Sequence, residues 1–146
     1  MGNYYLGERM FNLMRGFINN RRKTRRMLAR LPVRFFIVQR NRAGKVRKSR
    51  SITARTADLS SSGLSIETSV IQIDNFHVSL SSDMASELFL EIELALPERG
   101  IRIEGLPLRY QRKEATEGNY IVGVKINAMP SEDREVYERY LKTAEK

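Results

Sequence analysis

The sequence predicts a mainly β domain, an antiparallel barrel flanked by two helices. Three observations predict it. Six or seven short apolar stretches lie between residues 33 and 126, separated by turn residues such as 41–44, 97–100 and 117–119. The clearest of them alternates strictly: Leu88, Leu90, Ile92, Leu94 and Leu96 fall on one face. Helical periodicity is confined to the two ends of the chain. Hairpins in series favour closure into a barrel, because closure removes exposed strand edges. With 146 residues and 41% hydrophobic content the chain can bury one core, and one domain is expected.

Residues 3–20 place Leu6, Met10, Phe11, Met14, Phe17 and Ile18 on one helical face. Such a stripe suits docking on the domain's own core, homo-oligomer formation, or contact with a membrane surface. Gly16 weakens this helix by about 1 kcal/mol relative to alanine. Arg21-Arg22-Lys23-Thr24-Arg25-Arg26 then breaks the period. Residues 21–32 read as an exposed, arginine-rich linker, and 33–146 as the barrel with its C-terminal helix.

Pro32 bars helix, and 33–38 is a β run. A second strand over 51–57 leads into the turn Asp58-Leu59-Ser60-Ser61-Ser62-Gly63, and 64–67 alternates as a half-buried strand does. Residues 68–87 are ambiguous, with Val70, Ile71 and Ile73 as strand candidates. Strands over 88–96 and 101–109 form a hairpin, and 120–126 follows. The closing helix starts with Ser131 as N-cap and Glu132 and Asp133 in its first turn. Val136, Tyr137, Tyr140 and Leu141 form its buried face.

Charge and composition narrow the chemistry. The net charge is +9, but residues 21–50 alone carry +13 with no Asp or Glu, and the remainder carries −4. Such a block calls for an anionic partner: phosphates, nucleic acid or an acidic membrane surface. The absence of Cys excludes disulfides, thiolate metal sites and a Cys nucleophile, and a single histidine, His77, cannot build a His-rich metal site. No metal or cofactor is expected. No apolar run approaches the roughly 18 residues of a membrane span, and the N-terminus lacks the order of a secretory signal. The expected location is the cytoplasm.

No catalytic constellation emerges. His77 has no GxSxG serine to orient, and no GxxxxGK[ST] phosphate loop exists. Glu91 and Glu93 share the solvent face of one strand. Tyr110, between Arg109 and Arg112, is either a packing residue or a platform for stacking a base.

One pair of stretches forms a coherent binding set. Asp58 in a strand-to-strand turn can accept from backbone N–H groups or from the adjacent N1–H and amine of guanine. Ser60 adds a hydroxyl, and Gly63 permits positive φ or close backbone approach. Arg22-x-x-x-Arg26 adds two guanidinium forks suited to phosphate oxygens or the O6/N7 edge of guanine.

Arg22-x-x-x-Arg26 followed by Asp58-x-Ser60-x-x-Gly63 resembles the PilZ domain, the bacterial receptor domain for cyclic di-GMP. Gly63-Leu64-Ser65-Ile66 and Tyr120-Ile121-Val122-Gly123-Val124-Lys125-Ile126 extend the resemblance, which covers residues 21 to about 142. Ile126 stands where phenylalanine is frequent. The resemblance implies a six-stranded split barrel with a C-terminal helix, and an arginine segment that clamps the ligand on the barrel surface. It implies that Arg22 and Arg26 contact guanine and phosphate, that Asp58 and Ser60 contact guanine and backbone, and that Gly63 is the turn glycine. Arg21 corresponds to a position that tends to set stoichiometry, and a basic residue there resembles members that take an intercalated ligand dimer. The implied function is a non-enzymatic receptor that changes conformation on binding cyclic di-GMP and signals to a protein partner. Two alternatives remain on the residues alone: a sequence-independent nucleic-acid module using 21–50, and a ligand-independent interaction domain.

Overall fold

The computed structural model describes residues 25–78, 87–113 and 119–144. The predicted N-terminal helix over 3–20, with Arg21 and Arg22, lies outside the described residues.

Ten strands and one helix make up this part of the chain. In order they are β1 Met27–Leu28, β2 Pro32–Arg40, β3 Val46–Lys48, β4 Ile52–Leu59, β5 Gly63–Thr68, β6 Gln72–Ile73, β7 Phe76–His77, β8 Glu87–Ala95, β9 Gly100–Arg112, β10 Tyr120–Ala128, and helix α1 Ser131–Ala144. Strands β4, β5, β10, β9, β8 and β2 pair in that sequence, and β2 pairs again with β4. The six close an antiparallel barrel, as the sequence predicts. Strands β1 and β3 add short edges, and β6–β7 is a separate hairpin.

Closure follows from the alternation. Cross-strand pairs stack inside the barrel in layers: Val33 with Leu94 and Ile101, then Phe35 with Ile92 and Ile103. All six are at most 3% exposed. The next layer is Ile37, Leu90 and Gly105. A Cβ at Gly105 would stand 2.4 Å from Val124 Cγ1 and 3.0 Å from Ile92 Cδ1, so the missing side chain is filled from neighbouring strands. Helix α1 adds Val136, Tyr137 and Leu141 to the same core.

Several expectations change in detail. The ambiguous stretch after residue 68 contains the β6–β7 hairpin, whose turn residues Asp74 and Asn75 sit at φ +52° and +68°. Positive φ at both turn positions matches the right-handed strand twist, and Asp and Asn tolerate it. The helix begins one position earlier than predicted, because the Pro130 carbonyl accepts from the Arg134 N–H at 2.9 Å. Asp133 is buried: its Oδ2 accepts from the Arg102 N–H at 2.9 Å and its Oδ1 pairs with Arg99 at 2.9 Å. It ties α1 to β9 instead of only complementing the helix dipole.

The linker expected to be exposed over 21–32 is, from Arg26 on, tied to the barrel. Met27 and Leu28 pair with Leu59 and Asp58, and Pro32 pairs with Arg55. Between them residues 29–31 oppose only 56–57, so the ladder is interrupted. Thr56 repairs it. Its N–H donates to Leu31 O at 2.9 Å, its hydroxyl accepts from the Leu31 N–H at 2.9 Å, and the same hydroxyl donates to Ala29 O. Thr56 is 1% exposed. Thr56→Val should therefore destabilise the fold by about 1–3 kcal/mol, by stranding Leu31 N–H and Ala29 C=O. A lower urea midpoint is the expected signature, and Thr56→Ser should retain most of the wild-type value.

Candidate functional site

A register shift between Thr56 and Asp58 inserts Ala57 as an extra residue in β4. Without it, Thr56 and Asp58 would share a face. With it, Thr56 and Leu59 are buried while Asp58 faces outward opposite Ser65. Ser65 pairs with Gly123, and Gly123 with Arg109. The outer barrel face thus carries one transverse row over β4, β5, β10 and β9: a carboxylate, a hydroxyl, a bare glycine and a guanidinium.

Arg26 lies over the acidic end of this row. Its Nη1 is 3.2 Å from Asp58 Oδ1 and 3.5 Å from Oδ2, and it donates to Ser65 Oγ at 3.4 Å. The pair is 20% and 22% exposed, sheltered but open to a ligand. At the other end the Arg109 side chain lies beside Gly123, with Cγ 3.6 Å from where a Cβ would stand. Among the described residues no carboxylate pairs with Arg109 or with Lys125, its outward neighbour on β10.

The parallel row is Arg55, Glu67, Ile121 and Gln111. Glu67 is 14% exposed; it accepts from Lys113 Nζ at 2.9 Å and from Asn119 Nδ2 at 3.1 Å, with Arg30 Nη2 at 4.0 Å. The Lys113 hydrogen bond holds its carboxyl below the usual carboxylate range.

Ser60 and Gly63 shape the turn. The Ser60 N–H donates to Gly63 O at 2.9 Å, and the Ser60 hydroxyl accepts from the Gly63 N–H at 3.1 Å. Ser60 is 2% exposed. Gly63 is a buried strand residue without positive φ, and its place in the turn is fixed by its hydrogen bonds with Ser60. Among the described glycines the left-handed one is Gly44, at φ +81°.

The structure therefore brings Arg26, Asp58, Ser60 and Gly63 together. Arg21 and Arg22 lie outside the described residues. Sequence reasoning missed Ser65 and Arg109 as parts of this face, because their juxtaposition depends on register across four strands. Tyr110 packs against the core, edge-on to His77 at 5.2 Å and to Tyr120 at 6.2 Å, so it is a packing residue. Burial pushes the His77 imidazole below its ordinary value. Glu91 and Glu93 face outward and pair with Lys48 and Arg34. A groove of about 560 Å³, lined by Phe36, Lys48, Glu91, Arg102, Glu104 and Met129 among others, opens elsewhere and touches none of the motif residues. Among the described residues no cluster suits a metal ion, and no helix is long and apolar enough to cross a membrane.

Solved structures share this fold. The Bacillus subtilis inhibitor of motility MotI/DgrA is 16% identical with a TM-score of 0.55, over 86% of this chain and 51% of that one. The K. pneumonia MrkH–c-di-GMP complex is 17% identical with a TM-score of 0.50, over 85% and 51%. The PilZ domain of Escherichia coli YcgR with c-di-GMP is 15% identical with a TM-score of 0.50, over 84% and 90%. The chain spans about half the length of the MotI/DgrA and MrkH chains. No curated protein sequence matches significantly. The PilZ domain model matches residues 20–143, and with the closed six-stranded barrel beneath that match the chain belongs to the PilZ domain family.

Proposed function

We propose that this protein is a cyclic di-GMP receptor whose ligand lies on the outer barrel face between the arginine segment and the Asp58 turn. The observation that carries it is Arg26 held on Asp58 at the end of the Asp58–Ser65–Gly123–Arg109 row. Cyclic di-GMP offers two phosphates and two guanines. The row offers an acceptor for the guanine N1 and N2 donors and guanidinium forks for phosphate or O6/N7, with the Arg109 side chain lying across the bare Gly123. Arg21, Arg22 and Arg26 serve as the cationic jaw, from the clamping segment 21–32. Asp58, Ser60 and Gly63 serve as the fixed jaw, with Ser60 acting chiefly through the turn it closes. The MrkH and YcgR structures, described as complexes with c-di-GMP, support the ligand class. Binding exchanges the Arg26–Asp58 contact for ligand contacts and so changes the surface shown to a protein partner. The segment 1–20 is a candidate for self-association or partner contact.

Titration calorimetry with cyclic di-GMP tests the assignment. The expected result is saturable heat with micromolar or tighter affinity. Its stoichiometry reports whether Arg21 accompanies one ligand or an intercalated pair. No heat and no thermal shift at tens of micromolar ligand would overturn it.

One observation weighs against the nucleic-acid alternative. Within the basic block, Arg26, Arg30, Arg34, Arg40, Lys48 and Arg50 each pair with a carboxylate: Asp58, Glu67, Glu93, Glu87, Glu91 and Asp74. Retardation of random-sequence DNA or RNA should be absent at moderate salt. A steep salt-dependent affinity for any sequence would reinstate the alternative.

A further inference from the structure

The turn that carries the motif is held from the far side by the C-terminal helix. Three consecutive carbonyls are engaged. Ser60 O accepts from Tyr137 Oη at 2.6 Å, Ser61 O accepts from Arg134 Nη1 at 2.8 Å, and Ser62 O accepts from the Ile126 N–H at 2.9 Å. Two of these donors are side chains on successive turns of α1. Tyr137 is 0% exposed, so its hydroxyl and the Ser60 carbonyl have no water to fall back on. Arg134 is braced by Glu138 at 3.2 Å.

From this we infer that Tyr137 and Arg134 are positioning residues of the ligand site, setting the turn backbone on which Asp58 and Ser60 depend. A trans peptide points its N–H opposite its C=O. Fixing the carbonyls of residues 60–62 toward α1 and β10 therefore fixes the amides of Ser61, Ser62 and Gly63 in the opposite direction. The Gly63 amide is then in place for the Ser60 hydroxyl that closes the turn. Asp58 lies one residue before Leu59, which is fully buried, so little slack separates the clamp from the carboxylate. Simple docking of α1 on the barrel would need only Val136, the Tyr137 ring and Leu141. The hydroxyl and the guanidinium add nothing to that apolar contact and spend their hydrogen bonds on the turn. Burial pushes the Tyr137 phenol well above its ordinary pKa, which keeps it a donor over the working pH range.

The inference rests on the proposed ligand, so its test has two arms on the full chain. Tyr137→Phe removes one hydroxyl from a buried ring, and Arg134→Met removes the second donor from a half-exposed position. Amide hydrogen exchange without ligand should show faster exchange at residues 60–63 in both variants, with the barrel strands unchanged. Calorimetry with cyclic di-GMP should show Kd weakened about 5–10-fold by Tyr137→Phe, the value of one hydrogen bond of about 1 kcal/mol, at unchanged stoichiometry. Arg134→Lys should recover most of what Arg134→Met loses. Unchanged exchange at the turn overturns the inference. So does a merely structural outcome, in which all strands exchange faster and the binding-competent fraction falls while its Kd stays at the wild-type value. If wild type gives no heat with cyclic di-GMP, the ligand assignment fails alone, and the exchange arm still decides whether the helix sets the turn.

Discussion

Asp58→Ala and Arg26→Ala should each weaken cyclic di-GMP binding by about two orders of magnitude, at roughly 1–3 kcal/mol per bidentate guanine contact and more where a charge is left unpaired. The fold should hardly notice. Both side chains are about one-fifth exposed, and they pair with each other on the outside of the barrel. Ion pairs near the surface contribute at most about 1 kcal/mol. Calorimetry with a melting curve on the same samples separates the two effects. A large fall in melting temperature with ligand affinity retained would assign the pair to stability instead. Asp58→Asn is the sharper control: it keeps the shape and one acceptor and loses the charge, so affinity should fall between wild type and alanine.

Gly105→Ala should be the most damaging single methyl in the barrel, costing about 1–3 kcal/mol by overpacking. The new Cβ would stand 2.4 Å from Val124 Cγ1, a short β-branched side chain that cannot swing aside, and 3.0 Å from Ile92 Cδ1. Both neighbours are at most 1% exposed. Gly123→Ala is the matched control. The nearest atoms to its Cβ would all belong to Arg109, at ordinary contact distances of 3.6–4.0 Å. Denaturant titration should show a lower midpoint for Gly105→Ala and a near-wild-type midpoint for Gly123→Ala. Equal losses at the two positions would contradict the assignment of one glycine to the interior and the other to the ligand face.

Which parts of the site were legible in the sequence follows from how local each contact is. The Asp58–Gly63 turn closes within four residues, so its chemistry shows in a short stretch. Arg26 and Asp58 are 32 residues apart, and only the resemblance to a known motif pair linked them before the structure did. Arg109 and Ser65 carry no local signal at all. Ser65 enters the site through one strand pairing and Arg109 through three in succession, and β9 is further shifted against β10 by an irregularity at Gly123 and Val124. The clamp from Tyr137 to Ser60 spans 77 residues, and from sequence Tyr137 reads only as a core residue of an amphipathic helix.

Alternation of apolar residues determined the strands, the barrel and its inward faces, because burial on a pleated strand depends on parity along the chain alone. The bulge at Ala57 changes that parity locally, and it is what turns Asp58 outward. Charge shows the limit most plainly. The +13 of residues 21–50 calls for an external anion when the chain is read in line. The folded protein neutralises much of it with its own carboxylates from residues 58–93, which β4, β5, β7 and β8 and their turns bring alongside. Coulomb energy depends on distance in space, so composition set the amount of charge and only the tertiary structure decided where it stayed available to a ligand.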